Sequence, residues 1–152
     1  MREILYRAIS LCRGEGWVYG QPRHYARNPH WEKWTIYDTA TGIETDIDEN
    51  TLGQYTGLTD KNGTKIFEGD IATLISRNPL NYGMTVNAKF LFVNGSFTAY
   101  LLDKECLLAE LPIRDIPKDT EITVIGNIHD NPELVKILTQ HNKQSIKSFI
   151  TQ

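Results

Sequence analysis

Apolar and polar positions alternate with a period of two along most of this chain, in short runs punctuated by turn residues. Ile4 to Ile9 and Trp17 to Gln21 read as strands, separated by the Arg13-Gly14-Glu15-Gly16 turn. Pro22 to Pro29 is rich in His, Arg and Asn and reads as a loop. Trp34 to Tyr37 and Ile43 to Ile47 flank Asp38-Thr39-Ala40-Thr41-Gly42, a hairpin connection with glycine near its end. Leu52, Gln54, Thr56 and Leu58 then alternate with Gly53, Tyr55 and Gly57, a strand with glycines where another backbone comes close. Asp60 to Gly63 is a turn, because Asp60 can accept from amides ahead of it and Asn-Gly tolerates positive φ. Ile66 and Phe67 re-enter the core, and Glu68-Gly69-Asp70 launches a β-branched strand from Ile71 to Ile75. After a polar loop from Ser76 to Gly83, Thr85 to Val93 and Ser96 to Leu102 meet at Asn94-Gly95, the strongest short hairpin signal in the chain. Glu121 to Gly126 is a further strand.

Two regions depart from this pattern. Residues 103–117 hold Leu107, Leu108 and Leu111 at a helical spacing, but Pro112 and Pro117 prevent a long helix. Near the C-terminus Asn131, Pro132 and Glu133 form a helix start, supplying cap, first turn and dipole partner in order. Leu134, Val135, Ile137 and Leu138 make an apolar stripe that resumes at Ile146, Phe149 and Ile150. The expected fold class is therefore mainly β, barrel-like, with a C-terminal α-helix. The Gly69-Asp70 turn is of the sort that opens strands in SH3-like small barrels.

Composition narrows the function classes. A chain of 152 residues fits one domain or two small subdomains sharing a core. No run approaches the roughly 18 apolar residues of a membrane span, and MREILYRAIS has no apolar stretch of signal-peptide length, so no membrane is expected and the expected location is cytoplasmic. Cys12 and Cys106 stand apart, with no metal-ligand spacing. The net charge of −3 is uneven: residues 1–36 carry six Lys/Arg against three Asp/Glu, and residues 37–70 carry two against eight. Such a balance disfavours a nucleic-acid contact spread over the whole molecule, and leaves a local one at the N-terminal third.

With these residues in view, the chain resembles the YopX family of small proteins found in bacteriophages and in prophage regions of bacterial genomes. The matching stretches are Arg2 with Tyr6-Arg7, Trp17 to Gly20, Gly53 to Gly63, Ile66 to Ile71 and Gly126 to Leu134, in order along nearly the whole chain. The resemblance implies a mainly β, YopX-like domain over 1–135, with subdomains about 1–58 and 59–135; the tail over 136–152, expected to be helical from its residues, is longer than the family motif requires. It implies a phage or prophage accessory protein and supplies no defined activity, so activity has to be sought in the residues.

Three constellations carry candidate chemistry. Asp60, Glu68 and Asp70 could gather around a divalent cation, but turn formation and the start of a strand account for them better. His129-Asp130-Asn131 has the residue types of an acid–base pair, yet Asp130 and Asn131 are natural helix-start residues. No catalytic residue, metal or cofactor is expected. Trp17, Tyr19, Tyr25, Trp31, Trp34 and Tyr37 are interleaved with Arg13, Arg23, Arg27 and Lys33, the composition with which β surfaces stack bases and pair phosphates. Arg23, Tyr25, Arg27, Trp31 and Lys33 are the candidate binding residues, since the stretch that holds them is least easily read as core. The expected function is a non-enzymatic binding or assembly module acting through protein or nucleic-acid contacts. The alternatives are a single-stranded nucleic-acid binding module using the aromatic and basic 17–37 segment and, less favoured, an enzyme with carboxylate or histidine chemistry. A homo-oligomer is expected because the C-terminal stripe exceeds what a small barrel covers.

Overall fold

The computed structural model describes residues 1–80, 82–102 and 110–137. These residues are mainly β, and the chain divides into two compact units, Met1–Gly57 and Leu58–Gln152.

The first unit holds β1 (Tyr6–Ser10), β2 (Trp17–Asn28), β3 (Trp31–Tyr37) and most of β4 (Glu44–Thr59). Successive strands pair antiparallel in sequence order, and β1 also pairs with β4, so the sheet closes on itself and is barrel-like here. Ala8, Ile36 and Ile47 form its buried centre, with Tyr6, Val18, Trp34 and Leu52 packed around them. The β1–β4 register slips between Arg7 and Ile9. At that slip the Thr51 hydroxyl accepts from the Ile9 amide at 2.8 Å and donates to the Asp48 carbonyl at 2.7 Å, standing in for the missing ladder partner.

β2 corrects one expectation. The stretch Pro22 to Pro29, expected as a loop, is strand as far as Asn28, and only Pro29 and His30 make the turn into β3. The β1–β2 ladder ends at Tyr6↔Gly20, so beyond Gly20 the ladder partner of β2 is β3. A strand with one unpaired side tolerates Pro22, whose missing N–H costs no ladder bond there. All six residues from Arg23 to Asn28 are exposed, and without a buried face the stretch has no apolar alternation to betray it. The Asn28 side chain closes the turn by accepting from the His30 amide at 2.9 Å.

The second unit contains β5 (Lys65–Phe67), β6 (Asp70–Ile75), β7 (Thr85–Val93), β8 (Ser96–Leu101), β9 (Glu110–Pro112) and β10 (Glu121–Asn127). The last five form an antiparallel sheet in the order β10-β6-β7-β8-β9. Its core is Ile66, Ala72, Leu74, Ala88, Phe90, Ala99 and Ile122. Asn94 and Gly95 take φ values of 51° and 76°, the positive-φ pair that the tight β7–β8 hairpin requires. Of the ambiguous stretch, residues 110–112 are strand and Ile113–Asp115 a single 3-10 turn. Residues 103–109, with Cys106, Leu107 and Leu108, lie outside the described residues. A short helix, α1, covers residues 132–137, directly after Asn131. Most of the helical tail expected over 136–152, with its resumed apolar stripe, lies outside the described residues. Among the described residues no helix is long and apolar enough to cross a membrane.

Candidate functional site

Residues directly opposite each other in an antiparallel pair share a face of the sheet, as do residues two apart on one strand. Arg23 pairs with Thr35 and Tyr25 with Lys33 on the β2–β3 ladder; Thr35 and Tyr37 pair with Asp46 and Glu44 on β4. Arg27 is passed over by the ladder, between Ala26↔Glu32 and Asn28↔Trp31, and its guanidinium lies 5.2 Å from the centre of the Trp31 ring. Strand alternation thus brings Arg23, Tyr25 and Lys33 to one face, and the Arg27–Trp31 contact closes the row at the hairpin tip.

Carboxylates hold that face together. Glu44 accepts from the Thr35 hydroxyl at 2.6 Å, from the Tyr25 hydroxyl at 2.7 Å and from the Arg23 guanidinium at 3.2 Å. The hydrogen bonds from Thr35 and Tyr25, helped by Arg23, outweigh partial burial and hold its carboxyl below the usual glutamate range. Asp46 meets the Lys33 ammonium at 2.7 Å, and that hydrogen bond keeps Lys33 above its ordinary value. Of three cations on the face, two lean on carboxylates and Arg27 rests on an indole.

The aromatic rings are similarly engaged. Arg23 stacks 3.9 Å above Tyr37, Arg7 lies 4.3 Å above Trp17, and His24 stacks on Trp34 at 4.4 Å on the reverse side of the hairpin. His24 also reaches Glu32 at 3.1 Å. Tyr25 and Trp31 remain exposed to about 40%. Sequence reasoning found the cations and the aromatics but missed Glu44 and Asp46. The signal lay in the hairpin expected around Asp38 to Gly42, whose register sets Glu44 and Asp46 beside Tyr37 and Thr35.

The other two constellations do structural work in the second unit. Asp60 accepts from the Asn62 and Thr64 amides at 2.8 and 2.9 Å and from the Val124 amide at 3.2 Å. Burial pushes its carboxyl up, but the three amides overcome that and hold it below the ordinary aspartate value. Asp70 is buried and accepts from the Phe67 amide at 2.8 Å. The Asn127 side chain takes the amides of His129 and Asp130 at 3.0 and 2.8 Å and donates to the Asp130 carboxylate at 2.9 Å, so the His-Asp-Asn stretch is a turn tied to the end of β10. Among the described residues no group of three His, Cys, Asp or Glu side chains could hold a metal ion.

A mainly β chain is what the motifs along the sequence led one to expect. The family model described as YopX protein matches residues 5–136, and the chain belongs to the YopX family. No curated protein matches it. Protein YopX from Bacillus subtilis is similar in fold, with a TM-score of 0.51 at 17% identity, over 86% of this chain and 96% of that one. A protein from Enterococcus faecalis aligns over 89% of this chain and 99% of its own at 24% identity, with a TM-score of 0.48.

Proposed function

We propose that this chain is a non-enzymatic binding module, an accessory protein of a phage or prophage, that engages a protein partner through the β2–β3 hairpin in the host cytoplasm. The sequence motifs shared with the family support the phage or prophage origin. The observation that carries the choice of partner is the engagement of the hairpin's cations by Glu44 and Asp46. A nucleic-acid groove offers unpaired cations along a phosphate track and bare rings on which bases stack. Here Arg23 and Lys33 are neutralised, and the rings of Tyr37 and Trp34 are covered by Arg23 and His24. What remains is a near-neutral strip with exposed Tyr25 and Trp31, residue types that anchor protein interfaces.

A photo-cross-linking amino acid at Tyr25, in the full chain inside cells that make it, tests this reading. Protein adducts that form from position 25 and not from exposed Lys118 of the second unit are the expected result. Nuclease-sensitive adducts, or none, would sink it.

A further inference from the structure

The β3–β4 ladder runs only from Thr35↔Asp46 to Tyr37↔Glu44. Beyond Asp46 the strand β4 leaves β3 and turns to β1, where Ile47 and Asp48 pair with Ser10 and Ile9. Trp31 to Trp34 therefore keep ladder partners on β2 alone. A cleft of about 410 Å³ opens in the fork between the two strands, with both indoles, Trp31 and Trp34, in its lining.

The charge of this cleft is one-sided. Glu32, Asp46, Asp48 and Glu49 line it against a single ammonium, Lys33, which already sits on Asp46. Asp48 keeps one oxygen busy with the amide and side chain of Asn50 at 3.0 and 3.1 Å, and the Glu49 side chain is exposed. Anions are repelled from such a cleft. A lysine or arginine head group is drawn to the carboxylates there, and its aliphatic stem packs against the apolar part of the lining.

From these features we infer that the fork is the docking site for an extended lysine- or arginine-bearing segment of the partner protein, lying along the open edge of β3. The inference rests on the protein-binding reading above and specifies its partner. At the usual strand rise, Trp31 to Trp34 span about 10 Å, enough to register about four residues of an added strand. Alternate side chains of that segment would face the carboxylate rim and the indoles.

Titration of the full chain with an eight-residue peptide alternating Lys and Thr, followed by tryptophan fluorescence and calorimetry, tests the inference. The Lys-Thr peptide should bind, and the matching Glu-Thr peptide should not. The double variant Asp48→Asn, Glu49→Gln, which removes two rim charges and leaves an amide oxygen at position 48 to accept from Asn50, should weaken binding about tenfold. Asp115→Asn with Asp119→Asn, which neutralises two exposed carboxylates of the second unit, should leave affinity unchanged. Equal losses from the two pairs, binding of the acidic peptide, or no binding of the basic one would overturn the inference. Position-specific protein adducts at Tyr25 without carboxylate-dependent peptide binding would remove this inference and leave the hairpin reading standing. Failure of both experiments would remove both.

Discussion

Glu44 gathers Thr35, Tyr25 and Arg23 on one carboxyl group, and its charge is what those three donors need. A group whose folded value is depressed contributes stability above its ordinary value, and the contribution disappears as pH falls through the folded value. Glu44→Gln should therefore lower the melting midpoint by a few degrees near neutral pH, with the gap to the parent closing below about pH 4. Melting curves of both proteins from pH 3 to 8 measure it; a gap that stays constant across that range would mean that shape, and not charge, is what Glu44 supplies. Asp60 belongs at the same scale and illustrates what a sequence can disclose. Its turn role was legible because Asp60, Asn62 and Gly63 lie within four residues of each other. Its bond to Val124, 64 residues away, was not.

Hairpin geometry depends on one close approach at the level of elements. Gly20 sits where β2 leaves β1 for β3, and a Cβ added there would fall 2.2 Å from the Tyr37 carbonyl oxygen. A backbone atom cannot swing aside as a side chain does. Gly20→Ala should cost about 3 kcal/mol, through displacement of β2 from β3. Chemical denaturation would report the loss, and amide exchange should show weakened protection in Arg23 to Tyr37. Unchanged protection there would separate Gly20 from the hairpin. The β7–β8 hairpin was readable in advance since Asn94-Gly95 and the flanking alternation lie side by side in sequence. The β2–β3 hairpin was readable only at its base, Trp17 to Gln21 and Trp34 to Tyr37. Arg23 to Asn28 face water on both sides, and a strand with no buried face leaves no periodic trace. Arg23, Tyr25, Arg27, Trp31 and Lys33 were candidates by residue type alone, because aromatics interleaved with cations form a compositional signal that does not depend on the backbone.

For the molecule as a whole, a net charge of −3 and a near-neutral hairpin face argue against phosphate binding. Fluorescence anisotropy of a labelled oligothymidylate at about 50 mM salt should show no saturable binding, although electrostatic contacts are strongest under that condition. Saturation that depends on Arg27 and Trp31 would reinstate the nucleic-acid alternative. Local residue chemistry was enough to determine a mainly β chain, most of its strands, its tight turns and its YopX resemblance, because alternation and turn propensity act over a few residues. Tertiary structure alone decided that β4 is shared between β3 and β1, that the resulting fork is lined by two indoles and four carboxylates, and that Glu44 and Asp46 hold the cations of the hairpin. Those outcomes follow from strand register, which sets residues far apart in sequence face to face and is fixed by burial of Ala8, Ile36 and Ile47 in one core.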